Sequence, residues 1–319
     1  MPILAAVLLS YALTATPVQT KKTPPPAVKP VDRNKAVIGQ YYPLGQAGSK
    51  LNFKVTDAWY SLQEPRSDAF ILADNNQKLI TLKVEVQNTD KVDVTVWAGV
   101  FPIKVTGADN QSQAIDAVLT DTTIGKNANQ ALRPLQKITA LLTVPVTADG
   151  PVYKFFVGYA NDKPLVYDFR GKAKDNLGAW SGGDGIVKPA INAVIGTPFT
   201  FDEFQITLDE VIAPKPEVKD ADGNTVTPPK GLTYRARIKN MALVPRTFYS
   251  GGFAWSQEDE NGLTSQDLYA FYGTGTTEVG NVMEPGKEIK ASLVFGYLAP
   301  KITAASGTAH LRKFNFPLP

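Results

Sequence analysis

Residues 78–90 read KLITLKVEVQNTD and residues 230–242 read KGLTYRARIKNMA; one strand is written twice, 152 positions apart. In both, apolar side chains sit at every second position and an Asn closes the run. Ile80, Leu82, Val84 and Val86 form the inward set of the first copy, and Leu232, Tyr234, Ala236 and Ile238 that of the second. Lys83, Glu85, Arg235 and Arg237 point the other way. A period of two with one apolar face describes a strand that is buried on one side and wetted on the other. At the same spacing Val96 matches Phe248, Gly99 matches Gly251 and Phe101 matches Phe253. The chain therefore reads as two copies of one β domain.

The order of segments extends the match. AVIG at 36–39 opens one copy and AVIG at 193–196 the other. LNFKVTDAWY at 51–60 and FQITLDEVIA at 204–213 follow, each with acids late in the run. After the duplicated strand come aromatic-rich strands, VWAGVFPIKV at 96–105 and YSGGFAWSQ at 249–257. Polar turns then appear at 107–111 and 258–262. LRPLQKITALLTVP at 132–145 matches MEPGKEIKASLVFG at 283–296, and YKFFVGY at 153–159 and RKFNFPL at 312–318 end the copies. This order predicts about seven strands per copy and no helix of consequence. The expected fold is all-β: two tandem immunoglobulin-like antiparallel β-sandwiches, at 36–170 and 193–319.

Outside the copies the composition changes. Ile3 to Leu13 are almost wholly apolar, and small residues follow at Ala12, Thr14, Ala15 and Thr16. Residues 1–19 thus read as an export signal that lacks its usual basic start, and the apolar run is too short to span a bilayer. TKKTPPPAVKPVDRNK at 20–35 reads as a Pro-rich, semi-rigid spacer. Residues 171–192 hold five glycines and read as a connector, with Trp180 expected to dock against a neighbouring domain. The chain contains no cysteine, which excludes disulfides, thiolate metal sites and a cysteine nucleophile. A net charge of +3 gives no argument for a nucleic-acid partner.

Each copy resembles a family of bacterial extracytoplasmic domains of unknown function described as telokin-like, whose immunoglobulin-like sandwich is shared by a small secreted mycobacterial antigen. The resemblance rests on the opening Gly, the strands Val84 to Asn88 and Ala236 to Asn240, the acidic turn, and Pro285-Gly286 before the next strand. Copy one has Pro134-Leu135 there instead. The family implies a sandwich and export, and it implies no catalytic residues.

No reactive constellation is evident. The single histidine, His310, stands in a strand-like context with no G-x-S-x-G elbow anywhere. GTGTTEVG at 273–280 lacks the Lys and the spacing of a phosphate loop. Asp202–Glu203, Asp209–Glu210 and Glu258–Asp259–Glu260 are adjacent acids, which a strand sends to opposite faces. KDADGNT at 219–225 places Gly223 and Gly231 where a calcium loop needs a different order, so a plain hairpin turn is expected. No catalytic residue, metal or cofactor is expected.

Aromatic residues are the remaining signal. Trp59, Tyr60 and the run LYAFY at 268–272 put large rings on both faces of their strands. Leu268 and Ala270 are the core-like pair of the second run, which turns Tyr269 and Phe271 outward. Exposed rings stack on sugars or anchor protein partners. The reading is a secreted, periplasmic or envelope protein of a bacterium, non-enzymatic, binding an unidentified protein or polysaccharide. The sharper alternative is a carbohydrate-binding protein using Trp59, Tyr60, Tyr269 and Phe271.

Overall fold

Ile80, Leu82, Val84 and Val86 are wholly buried, and so are Leu232, Tyr234 and Ile238, while Lys83 and Arg235 are exposed. The alternation that predicts the duplicated strand thus sets its faces in the computed structural model. That structure describes residues 32–46, 48–107, 112–160, 162–310 and 312–319. The expected signal and nearly all of the spacer lie outside the described residues. Asp32–Lys35, the end of that spacer, belong to the folded body: Arg33 pairs with Asp162 at 2.7 Å and donates to the Pro43 carbonyl at 2.8 Å.

The protein is all-β. Strand Gln77–Asn88 is flanked antiparallel by Leu51–Ser61 and Lys137–Thr147, with Val84 opposite Val55 and Ala140. Strand Thr233–Asn240 is flanked in the same way by Phe204–Ile212 and Glu288–Phe295, with Ala236 opposite Leu208 and Ala291. Tyr42–Leu44 lies outermost on one side of the first set and Lys126–Asn127, beyond Val118–Asp121, on the other; Pro198–Phe201 and Leu268–Tyr272 lie outermost in the second. The strand before each central one carries a register shift at the same place, Val55/Asp57 and Leu208/Glu210. Such a bulge re-aims the residues after it, and Glu210 there meets Arg235 at 2.9 Å.

A second antiparallel sheet covers the apolar face of each set. In the N-terminal half its order is Leu165–Asp168, Lys154–Val157, Ile103–Thr106, Ser112–Ile115. In the C-terminal half Arg312–Asn315, Ile302–Ala309 and Ala254–Asp259 take the corresponding places. Rings meet across the gap: Tyr42 is edge-on to Tyr167 at 6.2 Å, and Phe201 stacks on Trp255 at 5.0 Å. Two sheets that interdigitate side chains over a shared core constitute a β-sandwich.

Three expectations change. The segment 96–105 is not one strand. Val94–Trp97 pairs with Asn129–Leu132, a 3-10 turn covers Ala98–Val100, and Ile103–Thr106 runs in the opposite sheet. The break is local chemistry: the Trp97 ring occupies the space that a Cβ on Gly99 would need, and Pro102 has no N–H for a ladder. A 3-10 turn at Ser250–Gly252 breaks the other half alike. The terminal strands also correspond differently. Lys154–Val157 is a middle strand whose counterpart is Ile302–Ala309, whereas Arg312–Asn315 occupies the place of Leu165–Asp168. ITAASGTA lacks the aromatic residues by which the others were matched.

The connector, third, is built into the structure. Lys174–Asp175 pairs parallel with Trp59 and Tyr60, and Trp180 is buried, edge-on to Phe314 at 4.9 Å. Its glycines serve that path: Gly178, Gly183 and Gly185 all have positive φ, which L side chains rarely adopt. Lys78, wholly buried in phase with Ile80, donates to the carbonyls of Ala148, Gly150 and Gly185 and so ties the connector to the first sandwich. Removal from water lowers its pKa to about 8.

Candidate functional site: a ring-lined groove on the C-terminal half

Strand Leu268–Tyr272 is hydrogen-bonded to Glu288–Phe295 at the side of its sheet. Leu268 and Ala270 enter the core, 7% and 3% exposed, and the alternation turns Tyr269 and Phe271 to the outer face. Tyr269 is 48% exposed and Phe271 half-buried. Their rings stack with centroids 6.3 Å apart and planes 20° apart. Two stacked rings held on a rigid strand make a preorganised apolar platform, at little conformational cost on binding.

The platform is part of a groove of about 580 Å³. Thr233, Arg235, Ser292 and Val294 of the two neighbouring strands line it, and Tyr297 lies at its end, 36% exposed. Ile212, Ala213, Lys215, Pro229 and Lys230 make the remaining wall, at the root of an exposed two-stranded ribbon. The ribbon pairs Val218–Lys219 with Thr225–Thr227. At its tip Asp220 accepts hydrogen bonds from the backbone of Asp222 and Asn224 at 3.0 and 2.8 Å, the geometry of a side-chain-capped turn. Those donors hold the Asp220 carboxyl below its ordinary pKa.

Trp59 and Tyr60 lie in the N-terminal half, apart from this groove. Tyr60 is 3% exposed; its hydroxyl accepts from Val152 N–H at 2.8 Å and Lys78 Nζ stands 4.9 Å from its ring. Its ring is core, because the bulge at Val55/Asp57 shifts the phase so that Tyr60 stands opposite buried Ile80, and Gly185 of the connector packs against the ring. Trp59 is half-buried and donates from Nε1 to Glu64 at 2.5 Å. Among the described residues, the corresponding outer face of the N-terminal half carries no stacked ring pair. Glu85 there gathers Lys54 at 3.0 Å, Lys137 at 3.2 Å and the Tyr41 hydroxyl. Those donors pull the Glu85 pKa down to about 2 against the opposing effect of burial.

A second concavity, about 300 Å³, lies where the halves meet. His310 bonds Asp202 at 2.7 Å on its rim, and this carboxylate raises the imidazole pKa. Buried Arg312 donates to the carbonyls of Asp74, at 3.0 Å, and Gln77. Ser61, the serine lining the cleft, gives its hydroxyl to Glu64 at 2.5 Å. The positive φ of Asp202 and His310 belongs to tight turns between paired strands, where left-handed residues are the rule.

No protein-family model matches the chain, and no curated protein matches it. Among solved structures, it is similar to an uncharacterized beta-sandwich protein from Clostridium difficile 630, at 14% identity and a TM-score of 0.34. That match covers 45% of this chain and 99% of the other. Among the described residues no helix is long and apolar enough to cross a membrane.

Proposed function

We propose that this chain is an exported, non-enzymatic binding protein of the bacterial envelope or extracellular space. In this reading it consists of two copies of one telokin-like, immunoglobulin-like domain, of which the second carries the ligand groove. The observation that carries the reading is the stacked pair Tyr269–Phe271, open to solvent inside a concave surface. Most other large rings of the described residues are in the core or half-buried; Trp97 and Tyr249 are exposed singly, each at its own 3-10 turn. A ring pair kept in water costs apolar exposure that folding does not require, and a ligand that stacks on it recovers that cost. Export is supported by the apolar run Ile3 to Leu13 and the Pro-rich stretch behind it.

The test is the double variant Tyr269→Ala/Phe271→Ala on a panel of immobilised envelope polysaccharides and candidate partner proteins. Retention should fall sharply while the melting temperature stays close to that of the parent, since neither ring fills the core. Unchanged retention, or a large loss of stability, would remove the groove from consideration.

A further inference from the structure

The geometry points to an acidic glycan as the occupant of this groove: the rings take the flat faces of its sugars, and Lys215 and Lys230 take its carboxylates. The inference rests on the binding reading given above and names the ligand class within it. The groove is lined by three cations and four aromatic residues, of which Phe295 is buried beneath it, and no carboxylate is among its lining residues. A surface built that way is complementary to a chain that carries both apolar faces and negative charge.

The two lysines give the sharper argument. Lys215 and Lys230 exchange both backbone hydrogen bonds at 2.8 Å, which makes them a directly opposed antiparallel pair. Directly opposed residues put their side chains on the same face of the ribbon, where like charges repel. Arg235, the third cation of the groove, is matched with Glu210 at 2.9 Å. Among the described residues Lys215 and Lys230 form no ion pair. An unmatched like-charge pair at the wall of a groove is unfavourable for the free protein and favourable once an anion bridges it.

The remaining groups suit a sugar chain. Thr274 lines the groove, and the hydroxyls of Thr233 and Ser292, which donate to the Gly231 and Gly273 carbonyls, keep lone pairs that accept from a sugar hydroxyl. On the matching outer face of the N-terminal half Lys54 and Lys137 share Glu85, and among the described residues no stacked ring pair lies beside them. The binding is thereby confined to the C-terminal half.

The full described chain is tested by affinity electrophoresis and calorimetry against four probes: alginate, dextran, poly-glutamate and an oligothymidylate. Alginate should bind, weakening as salt is raised, and dextran should bind much less. Lys215→Gln/Lys230→Gln should weaken alginate binding by about tenfold or more through loss of two charge-assisted contacts, with the melting curve unchanged or improved. Alginate bound no better than dextran, with binding still dependent on Tyr269 and Phe271, would overturn the acidic ligand and leave the groove reading intact. Alginate binding that ignores the ring variant would remove the groove itself. Preference for poly-glutamate or oligothymidylate over alginate would replace the glycan by an acidic polypeptide or a single-stranded nucleic acid, and absence of alginate binding overturns the inference outright.

Discussion

The carboxylate of Glu64 accepts hydrogen bonds from Trp59 Nε1 and Ser61 Oγ, each at 2.5 Å, although the residue is only 5% exposed. Burial raises its pKa above the carboxylate value of 4.5, with the hydrogen bonds opposing the shift. A folded pKa above the unfolded one means the native state holds the proton more tightly. The contribution of Glu64 to stability is then full below pH 4.5 and is lost as pH rises through the folded pKa. Glu64→Gln keeps an oxygen acceptor and removes the charge. The variant should match the parent in acid and exceed its melting temperature at pH 7; a variant less stable at pH 7 would show the ionised form to be well solvated. None of this was legible in the sequence, where Glu64 stands in a polar hairpin and its burial depends on Trp59 folding over it. Lys78 was legible in part: it shares the phase of Ile80 and Leu82, but only the path of the connector supplies its three carbonyl partners.

At the scale of elements, the Asn that closes the duplicated strand shows why a short pattern carries so much of the fold. Asn88 donates to the carbonyls of Val92 and Leu132 at 2.8 and 2.7 Å and accepts from Asp90 N–H at 2.8 Å. Asn240 does the same with Val244, Met283 and Ala242 at 3.0, 2.8 and 2.8 Å. One buried amide thus satisfies backbone groups of two separate loops, which no apolar residue can do. The loop that each Asn grips contains a residue in the left-handed region: Gly286 at φ 76° and Leu135 at φ 68°. Gly adopts that conformation freely, whereas Leu is strained by about 1 kcal/mol. Leu135 is 47% exposed and adds little burial in return. Leu135→Gly should therefore stabilise by up to about 1 kcal/mol, and Gly286→Ala should destabilise by a similar amount, both read by urea denaturation. Equal and negligible effects would mean these loops relax out of the left-handed region. The alternating strands and the Asn turns were readable because their causes are local. The 3-10 breaks at Ala98–Val100 and Ser250–Gly252 were not, since a ring folding back on a glycine two residues away imitates a continuing strand.

Across the whole molecule, the halves share strand order in their larger sheets and differ in what their outer faces present. The halves meet both through the connector and directly: Trp180 sits on Phe314, and Arg312 lies 5.7 Å from the Trp180 ring while donating to the Asp74 carbonyl of the other half at 3.0 Å. The docking of Trp180 could be foreseen, because a large ring in a Gly-rich segment needs a partner. Of the four aromatic residues singled out from the sequence, Tyr269 and Phe271 come together and Trp59 and Tyr60 stand elsewhere. Alternation along one strand suffices to turn a pair outward, but it cannot show that a bulge and a connector cover another. Lys215 and Lys230 were invisible as a site, since only the fold of the ribbon brings them to the rings. The most direct measurement is hydroxyl-radical footprinting of the intact protein with and without alginate. Tyr269 and Tyr297, in the groove, should be protected, whereas Tyr249 and Trp97, exposed by 64% and 49% outside it, serve as internal controls and should not. Protection of Trp97 or Tyr249 in place of Tyr269, or oxidation unchanged at every ring, would contradict a ligand groove on the C-terminal half.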